Sequence, residues 1–439
     1  MVESFGENLR MLRQGSGLSL EKLARKINYS KSYLSKIENG LSAPTADIAK
    51  RCDSALETGG TLAAMIVPVR PEAPAVPEPR PGTEAGDGDG DGDEVWVMVM
   101  DPEGTAGFHR LPRRQILAGL GIAVGYALTG GARSVADPTT IAGLHQAFEQ
   151  YRRLGTTSRP GIVLPQVVAH VHTVRSLAEG AVAPEVRDEL LVHASRAAEY
   201  AGWMSQEAGD DRAAAWWTAK AVTFAASGGD HHLGSYALVR QAELALYQQD
   251  SLTTIELAVR AQADPSVGPR ILGLAARCEA QGHALAGAPD GYLRALERAR
   301  AFLTEGAPPG VSRPVLGSAS VADEVALAEG WSLYDLGRPA DAAEILDREL
   351  PRIAADARRA RARFGARRAL AHAGNGEIEH ACSLTREVLA DAVHVDSATV
   401  RLDLRQLSRT LARWHNHDAV RELLPELGAA LRVARVSPA

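Results

Sequence analysis

Cysteine is nearly missing from this 439-residue chain: Cys52, Cys278 and Cys382 stand far apart, and none belongs to a CxxC pair. That excludes a disulfide framework and a thiolate zinc site, and it suits a reducing compartment. Aromatic residues make up only 5 %, too few for the aromatic and β-branched strands of a sandwich or barrel. No HExxH, P-loop or GxSxG occurs, so no catalytic constellation or phosphate cradle is legible. No apolar run reaches the ~20 residues of a membrane helix. Alanine, leucine and arginine dominate instead, which favours helices. The expectation is an all-α, cytoplasmic, non-enzymatic protein without metal or cofactor.

The formal charge of −6 is unevenly spread. Residues 1–67 carry nine Lys and Arg against seven Asp and Glu, whereas residues 68–94 carry two against eight. The head is thus weakly basic and the acid is concentrated behind it.

The segment from Gly17 to Pro44 is the most informative. Helix 1 is expected over about Phe5 to Arg13, with Leu9 and Leu12 inward and Gly15 and Gly17 ending it. Ser19 suits an N-cap for helix 2, and Glu21 suits its first turn. Leu20, Leu23, Ala24 and Ile27 form one stripe at helical spacing. Asn28 fits the left-handed turn that follows. Ser30 caps a helix starting at Lys31, whose Leu34 and Ile37 face inward. Lys31, Ser32, Tyr33 and Lys36 are left outward near its N-terminal end. Gly40 stops this helix, and Thr45 caps the next.

This segment resembles the Cro/cI-type (XRE) helix-turn-helix family over about Glu3 to Pro68. The resemblance implies a five-helix DNA-binding domain over residues 1–67. By it, Lys31, Ser32, Tyr33 and Lys36 face the major groove, and Ser42, Thr45 and the backbone near Asn39 lie by phosphates. Arg13 and Glu38 match a family ion pair. One departure is clear: the family often has Gln at the start of helix 2, where this chain has Leu20. A net +2 on the head is weak steering, so binding as a dimer to a two-fold double-stranded site is expected.

Residues 68–94 are Pro-rich, then Gly/Asp-alternating, and are expected to be a disordered linker. As a flexible tether they would span about 30 Å and leave the head moving independently. The Asp-Gly run imitates a calcium loop at Asp87, Asp89, Asp91 and Gly92, but the twelfth position is Met98. Residues 95–137 read as one short strand, Val95 to Met100, and an apolar connecting helix. Arg113-Arg114 before that helix imitates an export signal, which would have to be N-terminal. Its three glycines do not fit GxGxxG.

From Pro138 to the end the chain is helical and repetitive. Breaks recur at Gly209-Asp210, Asp250, Pro289-Asp290, Gly337-Pro339 and Asn375-Gly376. The clearest unit runs from Trp331 to Ala343: a bulky helix, a tight Gly turn, an Ala-rich helix. Trp216-Trp217 reads as core at a repeat junction. His231-His232, and His170 with His172, do not share helical faces and make no metal pair. The domain resembles the tetratricopeptide-repeat superfamily in a degenerate form, which implies a solenoid over residues 138–439 for dimerisation and sensing.

The layout resembles peptide-responsive regulators that join an XRE head to such repeats. Those often hold peptide with asparagines, and the only Asn residues here are Asn8, Asn28, Asn39, Asn375 and Asn416. Composition also resembles the Ala/Arg-rich regulators of actinobacteria. The leading expectation is a DNA-binding transcription regulator whose repeats dimerise and take a peptide, small-molecule or protein effector, with no membrane partner. A repeat scaffold with auxiliary DNA binding, and a membrane-tethered sensor using residues 114–128, are the alternatives.

Overall fold

The computed structural model describes residues 4–66, 94–100, 106–112, 137–181, 183–230, 232–304, 317, 321 and 323–432. The linker expected over 68–94, up to residue 93, and the apolar helix expected after Arg113 lie outside the described residues.

The head has four α-helices: α1 (Phe5–Gly15), α2 (Leu20–Lys26), α3 (Lys31–Glu38) and α4 (Ala46–Leu56). Each starts where a hydroxyl accepts a bond from a first-turn amide. The acceptors are Ser4, Ser19, Ser30 and Thr45, bonded by the amides of Glu7, Lys22, Tyr33 and Ile48. Each such cap is worth about 1 kcal/mol. Asn28 takes the left-handed turn at φ 55. Leu9, Leu23, Leu34, Ile37 and Ile48 are fully or almost fully buried, each contributing roughly 1.5–3 kcal/mol. At Gly6, α1 crosses the end of α3 so closely that a Cβ would lie 2.5 Å from the Ile37 carbonyl oxygen. The expected fifth helix is a single 3-10 turn, Ala63–Met65. Buried Asp53 holds it, accepting from the Leu62 amide at 2.9 Å and the Ala63 amide at 2.7 Å.

The expected strand has a partner. β1 (Glu94–Met100) pairs antiparallel with β2 (Ala106–Pro112), Val97 opposite His109. The second strand was hidden because none of its residues is β-branched.

The C-terminal region begins at α5 (Pro138–Thr157), capped by Asp137. It continues through α6 (Pro160–Gly180), α7 (Pro184–Ala208), α8 (Asp211–Ser227), α9 (Leu233–Tyr247), α10 (Ser251–Ala261) and α11 (Pro269–Ala286). Then come α12 (Pro289–Thr304), α13 (Glu324–Asp335), α14 (Pro339–Glu349), α15 (Arg358–Gly374), α16 (Ile378–Val395), α17 (Ala398–Leu411) and α18 (Asp418–Arg432). Six of these helices open on proline, whose missing amide costs nothing at that position. The expected breaks are turns between helices, and Gly209, Gly287, Gly337 and Gly376 all have positive φ. Consecutive helices pair, while α9, α11, α13, α15 and α17 stack on one another, as in a helical repeat. Trp217 is 1 % exposed and belongs to the core, as its sequence context implied.

The two ends of the helical array meet: α5 packs on α15 and α16, and α17 on α7. Buried Arg359 ties this closure. It donates to the carbonyl oxygens of Gly155 at 2.8 Å and Ser158 at 2.6 Å, and pairs with Glu207 at 2.6 Å. The odd-numbered helices from α5 to α15 thereby enclose a cavity of about 350 Å³.

Candidate nucleic-acid interface

The exposed surface of α3 follows from its buried one. With Leu34 and Ile37 in the core, Lys31, Ser32 and Lys36 are exposed and Tyr33 is half-buried. Ser30 caps the helix through the Tyr33 amide at 3.2 Å, fixing where the outward face starts. Lys31 lies 3.9 Å from Glu21 in an exposed pair, too weak and screened to hold it from another partner. The Tyr33 ring stacks on Tyr29, centroids 5.7 Å apart.

The other expected residues are partly engaged within the head. Asn39 donates to the Ser35 carbonyl at 2.8 Å and accepts from Arg10 at 2.5 Å. Its backbone amide closes α3 on the Ser35 carbonyl at 3.1 Å. Thr45 caps α4, and Ser42 is half-buried in the loop between. Leu20 is half-buried against the head core and offers no polar group at the position where the family often has Gln.

Arg13 and Glu38 form the expected pair in a two-bond fork, Nε to Oε1 at 2.6 Å and Nη2 to Oε2 at 3.0 Å. Glu38 is 6 % exposed, and its bond raises the Arg13 pKa. Arg13 also donates to the Leu18 carbonyl at 2.9 Å. The pair therefore locks α1, the loop to α2, and α3 into one orientation.

Residues 4–65 match the family of helix-turn-helix domains. This segment is a helix-turn-helix domain. No curated protein and no solved structure matches the chain. Among the described residues, no helix is long and apolar enough to cross a membrane.

The linker composition predicted an independently moving head; the helix-turn-helix domain instead docks on the helical repeats. It packs on the turns that end α13 and α15. Arg51 Nη1 donates to the Gly374 carbonyl at 2.8 Å, and Asn28 Nδ2 donates to the same oxygen at 3.2 Å. Arg413 pairs with Asp47 at 3.0 Å and lies 4.6 Å over the Tyr29 ring. At Gly337, with φ 77, a Cβ would sit 2.6 Å from the Lys50 carbonyl oxygen, so the turn admits only glycine against α4.

The electrostatics of this contact follow from burial. Burial raises the Asp47 pKa, but Arg51 and then Arg413 outweigh it and hold it low. Burial lowers Lys50 and raises Asp335, each opposed by the charge of the other. The exposed face of α3 stays open, yet Arg413 reaches its edge through Tyr29 and Tyr33. None of these contacts was legible in sequence, because the hydrogen-bonded partners lie 323 and 346 residues apart and the others are also distant in the chain.

Proposed function

We propose that the chain is a cytoplasmic transcription regulator of the XRE type. Its helix-turn-helix domain binds a two-fold DNA site, and its tetratricopeptide-like repeats dimerise and take an effector. It acts by binding, without catalysis, metal or cofactor. The observation that carries the reading is the outward face of α3, where Lys31, Ser32 and Lys36 are exposed around a capped N-terminus. Helix-turn-helix domains place that face in the major groove. Two copies are invoked because one weakly basic head gives little non-specific attraction.

Genome-wide occupancy of the full chain should give a palindrome with half-sites about one helical turn apart. Lys31→Ala with Lys36→Ala should then weaken binding to that palindrome by at least tenfold, with unchanged helicity. Unchanged affinity across several salt concentrations would sink the recognition-helix assignment. A cavity of about 350 Å³ walled by helices suits a small molecule better than an extended peptide, so the effector is placed there.

A further inference from the structure

The cavity enclosed by the odd-numbered helices is built from stripes at helical spacing. Glu199, Trp203 and Glu207 line it from α7, and Arg240, Glu243 and Tyr247 line it from α9. Among the described residues that line it, six arginines face five glutamates. The arginines deepest in the fold are already neutralised. Arg359 pairs with Glu207 at 2.6 Å. Arg240 pairs with Glu243, and Arg277 lies 2.5 Å from Glu243 and 3.4 Å from Glu324.

Arg363 is different. Its guanidinium sits 5.1 Å from the Tyr247 ring centroid, 5.4 Å from Trp331 and 5.6 Å from Phe364. Among the described residues it has neither an ion pair nor a hydrogen bond, and its Nε is buried without a partner. The Tyr247 hydroxyl beside it is also buried and unbonded. The carboxylates whose fields it shares, Glu207, Glu243 and Asp403, are each paired with another arginine. A buried donor left unmade costs about 1–3 kcal/mol, and this site leaves two side by side at an aromatic wall. Such a wall with convergent donors is how a concave site selects a ligand.

We propose that this cavity binds a small amphipathic organic anion. An aromatic body lies along Trp203, Trp331 and Phe364, and one delocalised anionic group is held by the Arg363 fork and the Tyr247 hydroxyl. The volume of about 350 Å³ admits one such molecule. The inference deepens the effector half of the proposed function and rests on it, while requiring nothing of DNA binding.

The test uses the full chain without DNA and two fluorescent probes of equal body. 8-Anilinonaphthalene-1-sulfonate carries the anion, and N-phenyl-1-naphthylamine lacks it. The anionic probe should bind one site per chain, at least tenfold tighter than the neutral one. Arg363→Met should weaken the anionic probe at least tenfold and leave the neutral probe within twofold. Should that variant fail to fold, Arg363→Lys should cost the anionic probe at least threefold, because it keeps the charge and loses the fork. Ala360→Phe, which fills the cavity, should weaken both probes, and inorganic phosphate at 10 mM should displace neither. Equal affinity for the two probes, an unchanged anionic probe in the Arg363 variants, or displacement by phosphate would each overturn the proposal. None of those outcomes bears on the palindrome, so the two readings fail separately.

Discussion

Arg51→Met is the sharpest probe of how the helix-turn-helix domain is held. The change keeps the aliphatic stem and removes the donor to the Gly374 carbonyl, a charged bond of 2.8 Å in a residue 3 % exposed. Such bonds contribute roughly 1.5–3 kcal/mol. The Arg51 guanidinium also lies 5.8 Å over Tyr334, a small addition. Asp47 keeps Arg413 and Tyr29, so the head itself stays folded. A loss of about 2 kcal/mol raises the undocked fraction about 30-fold. Lys50 reports it, because its side chain is half-buried in the docked state beside Asp335. Acylation of Lys50, followed by mass spectrometry against exposed Lys36, should accelerate in the variant, with about 30-fold as the ceiling. An unchanged Lys50 rate, with unchanged unfolding midpoint, would refute the assignment of Arg51 as the anchor.

Arg13→Ala should lower head stability by about 2–3 kcal/mol, since Glu38 is left buried with only Arg10 at 3.6 Å. A chemical unfolding curve within 0.5 kcal/mol of the parent would contradict this. His170 and His193 share an Nε2–Nε2 contact of 2.9 Å. Burial and then His145 push His170 down to about 4 and His193 down to about 3. Their folded values lie below the unfolded value near 6.5, so the unfolded chain takes up protons first as pH falls. Stability is therefore intact above about 6.5 and is lost progressively from there towards 3 to 4. Between pH 7 and 5 the pair should cost about 3 kcal/mol. His193→Gln should roughly halve that slope in urea titrations at the two pH values, and an unaltered slope would exclude the pair as its source.

The head was the most legible part of the sequence. Its caps at Ser19, Ser30 and Thr45, its left-handed Asn28 and its buried stripe are local signals, decided within four residues of each position. The repeat breaks were legible for the same reason, since Gly209, Gly337 and Gly376 announce their turns. What escaped was long-range. His170 shares no face with His172 on its own helix, whereas its partner His193 arrives from α7. The cavity was missed for a related cause. Its signal is present as charged and aromatic residues at spacings of three and four on alternate helices, such as Tyr236, Arg240, Glu243 and Tyr247 on α9. That pattern looks like a solvated face until the array closes and turns it inward. Closure depends on Arg359 meeting Gly155 and Glu207, at separations of 204 and 152 residues, and no window of sequence holds both.

Two helices carry cavity and head contacts at opposite places, and this joins the two halves of the molecule physically. On α15, Arg363 faces the cavity and Gly374 accepts from Arg51, eleven residues or about 16 Å further along. On α13, Trp331 faces the cavity while Tyr334 and Asp335 face Arg51 and Lys50. An anion drawing Arg363 towards it acts on helices whose C-terminal ends hold the head. Coupling through these helices requires that the anion bind the docked and undocked states with different affinities. Saturating 8-anilinonaphthalene-1-sulfonate should change the Lys50 acylation rate at least threefold in the parent and leave it constant in Arg363→Met. Reciprocity then requires the undocked state that Arg51→Met favours to bind the probe more tightly if the probe accelerates Lys50 and more weakly if it slows it, by no more than the same factor. A probe that binds tightly yet leaves Lys50 untouched would make the cavity and the head independent, and the proposed effector would have no route to DNA through this contact.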